Sequence, residues 1–286
     1  MKFRTEIAIE KPQWQIEPHH RLLLVGSCFA AEIGRRFADN QFRATVNPFG
    51  TMYNPVSILH TLQKLLQKPA DGTLPPAFDV CFLTLGTNHV YRLRETGEIV
   101  DNCAKRPQRL FQEEELSVGE CAGALRECIE LLRQANPEVR IAFTVSPIRY
   151  AKYGFHGSQL SKATLLLAIH ELMAHPHPTL PSSQLGQAPL YYFPAYEILN
   201  DELRDYRFYA ADMLHPSEQA VDYVWQQLVA SAFSPAARQM LADWQPIQQA
   251  LGHQPFNPES AEYQQFRASA LQKQKAFRAK YLNHNQ

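Results

Sequence analysis

Three short runs rich in apolar residues constrain this chain more than any other feature: Leu22-Leu23-Leu24-Val25, Phe78 to Leu85, and Val139 to Val145. Each is too short for an independent helix and too continuously apolar for a sheet with one wet face. Each therefore reads as a strand buried on both sides. Between them the periodicity changes to that of helices. Ala30, Ile33, Gly34 and Phe37 form one stripe, Val56, Leu59, Leu62 and Leu66 a second, and Cys121, Leu125, Cys128 and Leu132 a third. This alternation continues through residue 233. It predicts an α/β domain with a mostly parallel sheet and helices on both faces. Residues 1–233 are read as that domain, and residues 234–286, rich in glutamine, alanine and lysine, as a helical extension.

Local signals fix further elements. Phe3, Thr5, Ile7 and Ile9 alternate with polar residues and predict a half-buried strand, and Ala44-Thr45-Val46 predicts a short one. Asn54-Pro55 has the form of a helix cap followed by proline at the first helical position. Val90 to Leu93 and Ile99-Val100 flank Glu95-Thr96-Gly97-Glu98 as a hairpin. Ser117-Val118-Gly119-Glu120 has the form of a capping box. Helices are expected over Ser161 to Ala174 and from about Pro216 to Phe233, and a late strand over Leu190 to Phe193. The proline-, serine- and glutamine-rich residues 175–189 read as an exposed loop.

Composition excludes several function classes. Lysine plus arginine equals aspartate plus glutamate, 28 each, with no long run of one sign. That argues against nucleic acid or an anionic membrane as the main partner. No apolar run approaches the ~18 residues that suggest a membrane span. The opening Met1-Lys2-Phe3-Arg4-Thr5-Glu6 lacks the apolar stretch of a signal peptide, so a cytoplasmic location is expected. The five cysteines show no Cys-x-x-Cys spacing, which disfavours structural zinc. Cys81, Cys121 and Cys128 read as small core hydrophobes. The histidines of His175-Pro176-His177-Pro178 read as spacer rather than metal ligands.

Ligands of parallel sheets bind at the carboxyl ends of the strands, and three strand ends here carry polar punctuation: Gly26-Ser27-Cys28, Gly86-Thr87-Asn88-His89 and Ser146-Pro147. A strand that turns through glycine into a helix exposes a side chain where the first-turn N–H groups favour negative charge. Ser27 and Cys28 are the two candidate nucleophiles in that turn. Asp212-Met213-Leu214-His215 lets a carboxylate fold back on an imidazole, fix one ring N–H and leave the other nitrogen as a base. Asn88 and the Gly50 N–H are candidate oxyanion donors, although a turn cap and a positive-φ glycine are the bland readings of the two. Arg149 and Lys162 either hold an anionic group of a substrate or serve as salt-bridge and surface residues. His156 either lines the pocket or belongs to a loop.

The order of these pieces resembles the SGNH (GDSL-type) hydrolase superfamily. Gly26-Ser27-Cys28-Phe29-Ala30 and Asn47-Pro48-Phe49-Gly50-Thr51-Met52-Tyr53-Asn54-Pro55 resemble more closely the GSCFA-domain family, a bacterial branch of it. Thr144 to Arg149, Ser161-Lys162-Ala163 and Asp212 to Ser217 fit the same family. The resemblance implies a three-layer αβα fold and an ester-cleaving or acyl-transferring ancestry. It implies no particular substrate; the pieces together are read as a hydrolase or acyltransferase of small carboxylic esters, O-acetylated carbohydrate among them, with no cofactor required beyond an acyl donor such as acetyl-CoA if the group is transferred.

The chain departs from the superfamily's Gly-Asp-Ser block. Aligned on Gly26, the nucleophile position is Cys28 and the aspartate position is Ser27. The nucleophile is thus a thiol or, with a one-residue shift, Ser27. His89 stands where the Gly-x-Asn run beginning at Gly86 ordinarily continues with aspartate. A non-catalytic carbohydrate- or partner-binding protein on the same scaffold is the alternative. A thiol redox sensor at Cys28 would need a second cysteine nearby, which the spacing does not offer.

Overall fold

The computed structural model describes residues 4–67, 74–101, 103, 106–174 and 190–282. Among them the strands run β1 Arg21–Gly26, β2 Arg43–Val46, β3 Val80–Leu85, β4 His89–Leu93, β5 Ile99–Val100, β6 Phe111–Glu115, β7 Arg140–Val145 and β8 Tyr191–Tyr192. The helices are α1 Cys28–Asp39, α2 Pro55–Leu66, α3 Val118–Ala135, α4 Gly154–Ala174, the short α5 Ala195–Glu197, α6 Glu218–Ala232, α7 Pro235–Gly252 and α8 Ala261–Tyr281. The main sheet has the order β2-β1-β3-β7-β8, and every neighbouring pair in it is parallel.

The apolar runs form the middle of this sheet because each strand feeds two cores. Successive side chains of a strand point to opposite faces. Leu22 and Leu24 of β1 join Val80 and Phe82 of β3 in one core. Leu23 and Val25 join Cys81, Leu83 and Leu85 in the other. Helices α1, α6 and α7 cover the first face through Phe29, Ile33, Phe37, Val224, Trp225, Leu228, Met240 and Trp244. Helices α2, α3 and α4 cover the second through Ile58, Leu62, Leu125, Leu132, Leu165 and Ile169. The result is the expected three-layer αβα arrangement. Cys81, Cys121 and Cys128 lie in the second core as free thiols. Both expected caps form: Asn54 accepts from the Ser57 N–H, and Ser117 and Glu120 complete a capping box.

Two expectations need correction, and one element is added. Residues 5–9 form no strand: Ile7 and Ile9 pack on the first core, and the Ile7 N–H donates to Glu202 Oε2 at 3.0 Å. One-sided packing produces the period-two pattern without a neighbouring strand to supply a ladder. The hairpin of β4 and β5 gains a third strand, β6, paired antiparallel to β4. Three glutamates in Phe111–Glu115 hide that strand from a reading of hydrophobic pattern. Helix α4 begins at Gly154 rather than Ser161. The expected loop at 175–189, with His175 and His177, lies outside the described residues.

The C-terminal helices are packed against the first core. Ala237, Met240, Trp244 and Ile247 of α7 and Phe277 of α8 are buried there. The Trp244 indole N–H donates to the Asp39 carbonyl at 2.6 Å, and Asp243 holds Lys280 and the Tyr281 hydroxyl at 2.8 and 2.7 Å. No helix among the described residues is long and apolar enough to cross a membrane. Trp244→Ala removes a buried indole from this contact and is expected to lower stability by about 3–5 kcal/mol in denaturant unfolding. A change under ~1 kcal/mol would mean that α7 contributes little to the core.

Candidate functional site

The turn after β1 is built by crowding. Gly26 has φ of +149°, and a Cβ there would run into the Thr84 carbonyl of β3, so only glycine fits. Ser27 follows in extended geometry as the N-cap of α1, and its hydroxyl accepts from the Phe29 N–H at 3.3 Å. It is fully buried. Cys28, the first helical residue, is partly exposed. Its Sγ lies 3.4 Å from the Tyr53 hydroxyl, and its own N–H has no hydrogen-bond acceptor among the described residues. Burial and the contact with Cys28 push the Tyr53 phenol up to about 12. Spacing gave no sign of Tyr53, which sits in the loop before Asn54.

That loop is pinned to the turn. The Asn47 side chain accepts from the Gly26 N–H at 2.9 Å, and the Met52 N–H donates to the Gly26 carbonyl. The Tyr53 carbonyl accepts from both the Gly86 and Thr87 N–H groups at 2.8 Å. Gly86 is wedged in place, since a Cβ would lie 2.5 Å from the Tyr150 hydroxyl and 2.9 Å from the Tyr53 carbonyl. The sheet edge therefore brings Ser27, Cys28, Tyr53, Gly86 and Tyr150 together.

Other candidates are occupied structurally. The Gly50 N–H donates to the Asn47 carbonyl at 2.9 Å and closes a turn. The Asn88 amide donates to the Leu116 carbonyl at 2.7 Å, and the Asn88 N–H to Ser161 Oγ at 3.0 Å. Asn88 is buried and holds the end of β3 to the start of α3. His89 turns away into the small sheet, stacked on Tyr153 at 3.6 Å and 3.5 Å from Glu113. Burial lowers its basicity against the opposing pull of Glu115 and Glu113.

Asp212 and His215 do pair. His215 Nδ1 lies 2.6 Å from Asp212 Oδ2, while Oδ1 accepts from the Leu214 and His215 N–H groups at 2.9 Å. Those two backbone donors and the imidazole hold the Asp212 carboxyl down at about 2, because each favours the charged form. The turn is tight: Met213 has φ of +58°, and the Ala210 N–H donates to the His215 carbonyl. Arg149 fastens it to the end of β7. The Arg149 N–H donates to the Leu214 carbonyl at 3.0 Å and its guanidinium to the Met213 carbonyl at 2.9 Å. On the other side, Arg36 of α1 binds Glu218 and Asp222 of α6 at 2.5 and 2.7 Å. Helix α6, which begins three residues after His215, is thereby tied to the helix that carries Cys28. No hydrogen bond joins His215 to Cys28 among the described residues.

Lys162 is neither a surface cation nor half of an ion pair. It is buried, and its Nζ donates to the Gly86 carbonyl at 2.6 Å and the Ser146 carbonyl at 2.8 Å, under the ring of Tyr150. Burial pulls its ammonium down to about 7. It ties the carboxyl ends of β3 and β7 together directly below the candidate site.

Residues 21–74 and 73–228 match the GSCFA family, and residues 244–286 match the C-terminal domain of GSCFA domain proteins. The chain belongs to the GSCFA family. No curated protein matches it. Among solved structures it is similar to a Streptococcus pneumonia protein described as a candidate platelet activating factor. The identity there is 15%, over 74% of this chain and 83% of that one, with a TM-score of 0.46. It is also similar to an acetyl esterase variant crystallised with acetate ion, at 12% identity over 78% and 99% of the two chains and a TM-score of 0.42. A family two carbohydrate esterase from Clostridium thermocellum in complex with cellohexaose shows 12% identity over 79% and 65%, with a TM-score of 0.40.

Two variants test the architecture of the edge. Ser27→Ala removes the N-cap of α1 and is expected to cost about 1 kcal/mol of stability in urea unfolding; no loss would contradict the capping role. Lys162 binds its proton less tightly folded than unfolded. Between about pH 7 and its unfolded value of ~10.4 the unfolded chain holds the extra proton, so this group makes stability rise with pH. Below about pH 7 both states are protonated and the dependence vanishes. The difference in unfolding free energy between wild type and Lys162→Met should follow this slope; a pH-independent difference would refute the buried titration.

Proposed function

We propose that this protein is a hydrolase or O-acyltransferase of small carboxylic esters, among them O-acetyl groups of carbohydrate, working through Cys28, His215 and Asp212. The observation that carries the reading is the Asp212–His215 pair at 2.6 Å, on a loop bonded to the end of the same sheet edge that carries Cys28. A carboxylate fixed by two backbone N–H groups holds the imidazole in one tautomer and stabilises it once protonated.

In this reading the Cys28 thiol gives its proton to His215 Nε2 and its sulfur attacks the acyl carbonyl. The Cys28 N–H, at the N-terminus of α1, donates to the developing oxyanion. The tetrahedral species collapses to a thioester, and His215 returns the proton to the departing alcohol. Water or an acceptor hydroxyl then attacks the thioester, gives its proton to His215 and releases Cys28 as thiol. His215 and Asp212 are both half exposed, so a substrate can reach the imidazole, and catalytic hydrogen bonds commonly tighten only in the complex. Tyr53, against the sulfur, is positioned to orient the thiol.

The rival reading, a carbohydrate- or partner-binding protein, draws on a specific observation. The Gly50 N–H is spent on the Asn47 carbonyl, and one of the two Asn88 amide N–H groups on the Leu116 carbonyl. Turnover of a generic acetyl ester separates the two readings. Cys28→Ala and His215→Ala are expected to lower kcat/KM by at least a hundredfold, and Ser27→Ala to reduce it by less. Full activity in Cys28→Ala would remove the thiol from the mechanism. The absence of turnover in wild type toward both simple and carbohydrate acetyl esters would favour the binding protein.

A further inference from the structure

Beside the Asp212–His215 loop stands a guanidinium with no carboxylate partner among the described residues. Arg149 spends one side-chain N–H on the Met213 carbonyl. Its other donors remain, and the neighbouring acids are engaged: Asp212 on His215 and Asp205 beside Arg207 at 3.8 Å. Three rings surround it. The guanidinium carbon is 4.1 Å from the centre of Phe155, 5.3 Å from Tyr209 and 5.9 Å from Tyr206. Phe155 is 53% exposed and Tyr206 67%, so two rings beside the guanidinium are open to a ligand.

We propose that Arg149, Phe155, Tyr206 and Tyr209 form a subsite for a carboxylated sugar ring, which sets the acyl-bearing substrate against His215. A guanidinium stacked on rings keeps its in-plane N–H edge free and offers a carboxylate two parallel hydrogen bonds. The flanking rings present apolar faces of the size of a pyranose and suit its C–H face. A hexuronate carries both features on one ring, with the carboxylate roughly in the mean plane of the sugar. A carboxylate is the anion argued for here, because its planar pair of oxygens matches the in-plane edge of one guanidinium while the sugar ring beside it meets the aromatic faces. The tie from Arg149 to the Met213 and Leu214 carbonyls places the bound carboxylate within a few residues of His215, so specificity and chemistry share one loop. The subsite rests on the ester-cleaving reading for its catalytic meaning but not for its binding.

Titration calorimetry on the full chain tests it with a matched pair: α-1,4-linked trigalacturonic acid and the neutral galactotriose of the same linkage. They differ only in the carboxylates. The acidic trisaccharide is expected to bind at least tenfold more tightly than the neutral one. Arg149→Gln should abolish that preference, and Arg149→Lys should restore part of it. Tyr206→Ala, at an exposed ring that holds no loop, should weaken both sugars and leave the preference, which keeps the test valid if Arg149→Gln fails to fold. Equal binding of the two sugars, no binding of either, or a preference that survives in folded Arg149→Gln would overturn the subsite. Hydrolysis of p-nitrophenyl acetate by wild type separates this from the activity itself. Turnover without acid preference sinks the subsite alone. Acid preference without turnover of this ester or of a carbohydrate acetyl ester leaves the subsite standing and sinks the esterase reading.

Discussion

Lys162 sits where the sheet can least spare a loose end. Its two hydrogen bonds, to the carbonyls of Gly86 and Ser146, join the ends of β3 and β7 at the level where the candidate site begins. Gly86 in turn gives its N–H to the Tyr53 carbonyl, and the Tyr53 hydroxyl meets Cys28. The position of the thiol is therefore set from below by an amine that water does not reach. Such burial is costly unless the polar group is bonded. Two carbonyl acceptors suit an amine that sheds its charge near neutral pH, because the neutral form still has two N–H groups to donate. The fold tolerates this lysine because both acceptors are strand-end carbonyls that the parallel ladder leaves over.

The fold was largely legible because its signal is local. Leu22 to Val25 and Val139 to Val145 are apolar at every or nearly every position, and a strand that feeds cores on both faces has no other way to be written. Capping at Asn54 and Ser117 is equally local. Elements whose pairing is set by distant residues were not legible. Ile7 and Ile9 alternate like a strand, yet no strand lies beside them. Phe111–Glu115 reads as a polar stretch, yet β4 supplies a ladder for it. Backbone hydrogen bonds there override a weak hydrophobic pattern.

The candidate site divides along the same line. Asp212 and His215 could be read from the sequence because three residues and a tight turn suffice to join them. Whether Gly50 and Asn88 keep a free donor depends on Asn47 and on Leu116, and spacing does not say whether those carbonyls claim the N–H groups. Lys162 did leave a trace. It shares the stripe of Leu165, Ile169 and Leu172 that α4 turns inward, although its charge reads as that of a substrate-binding or surface residue. Arg149 and Tyr206 left none, since their significance lies in what they stand beside.

The opening turn illustrates how backbone geometry distinguishes two adjacent candidate side chains. An N-cap residue has extended φ and ψ and bends its side chain back over the first helical N–H groups. Ser27 does so, and its side chain is buried as a result. The next side chain, at the first helical position, leaves the turn on the outer side, and that residue is Cys28. The capping serine also takes the Phe29 N–H, whereas the Cys28 N–H has no acceptor among the described residues. The two residues cannot exchange these tasks, because the strain that Gly26 absorbs fixes which of them begins the helix. Tyr53 then adds a hydroxyl dipole at the sulfur. If acyl transfer occurs at this turn, the geometry favours the thiol over the serine on access alone, before any difference in acidity is considered.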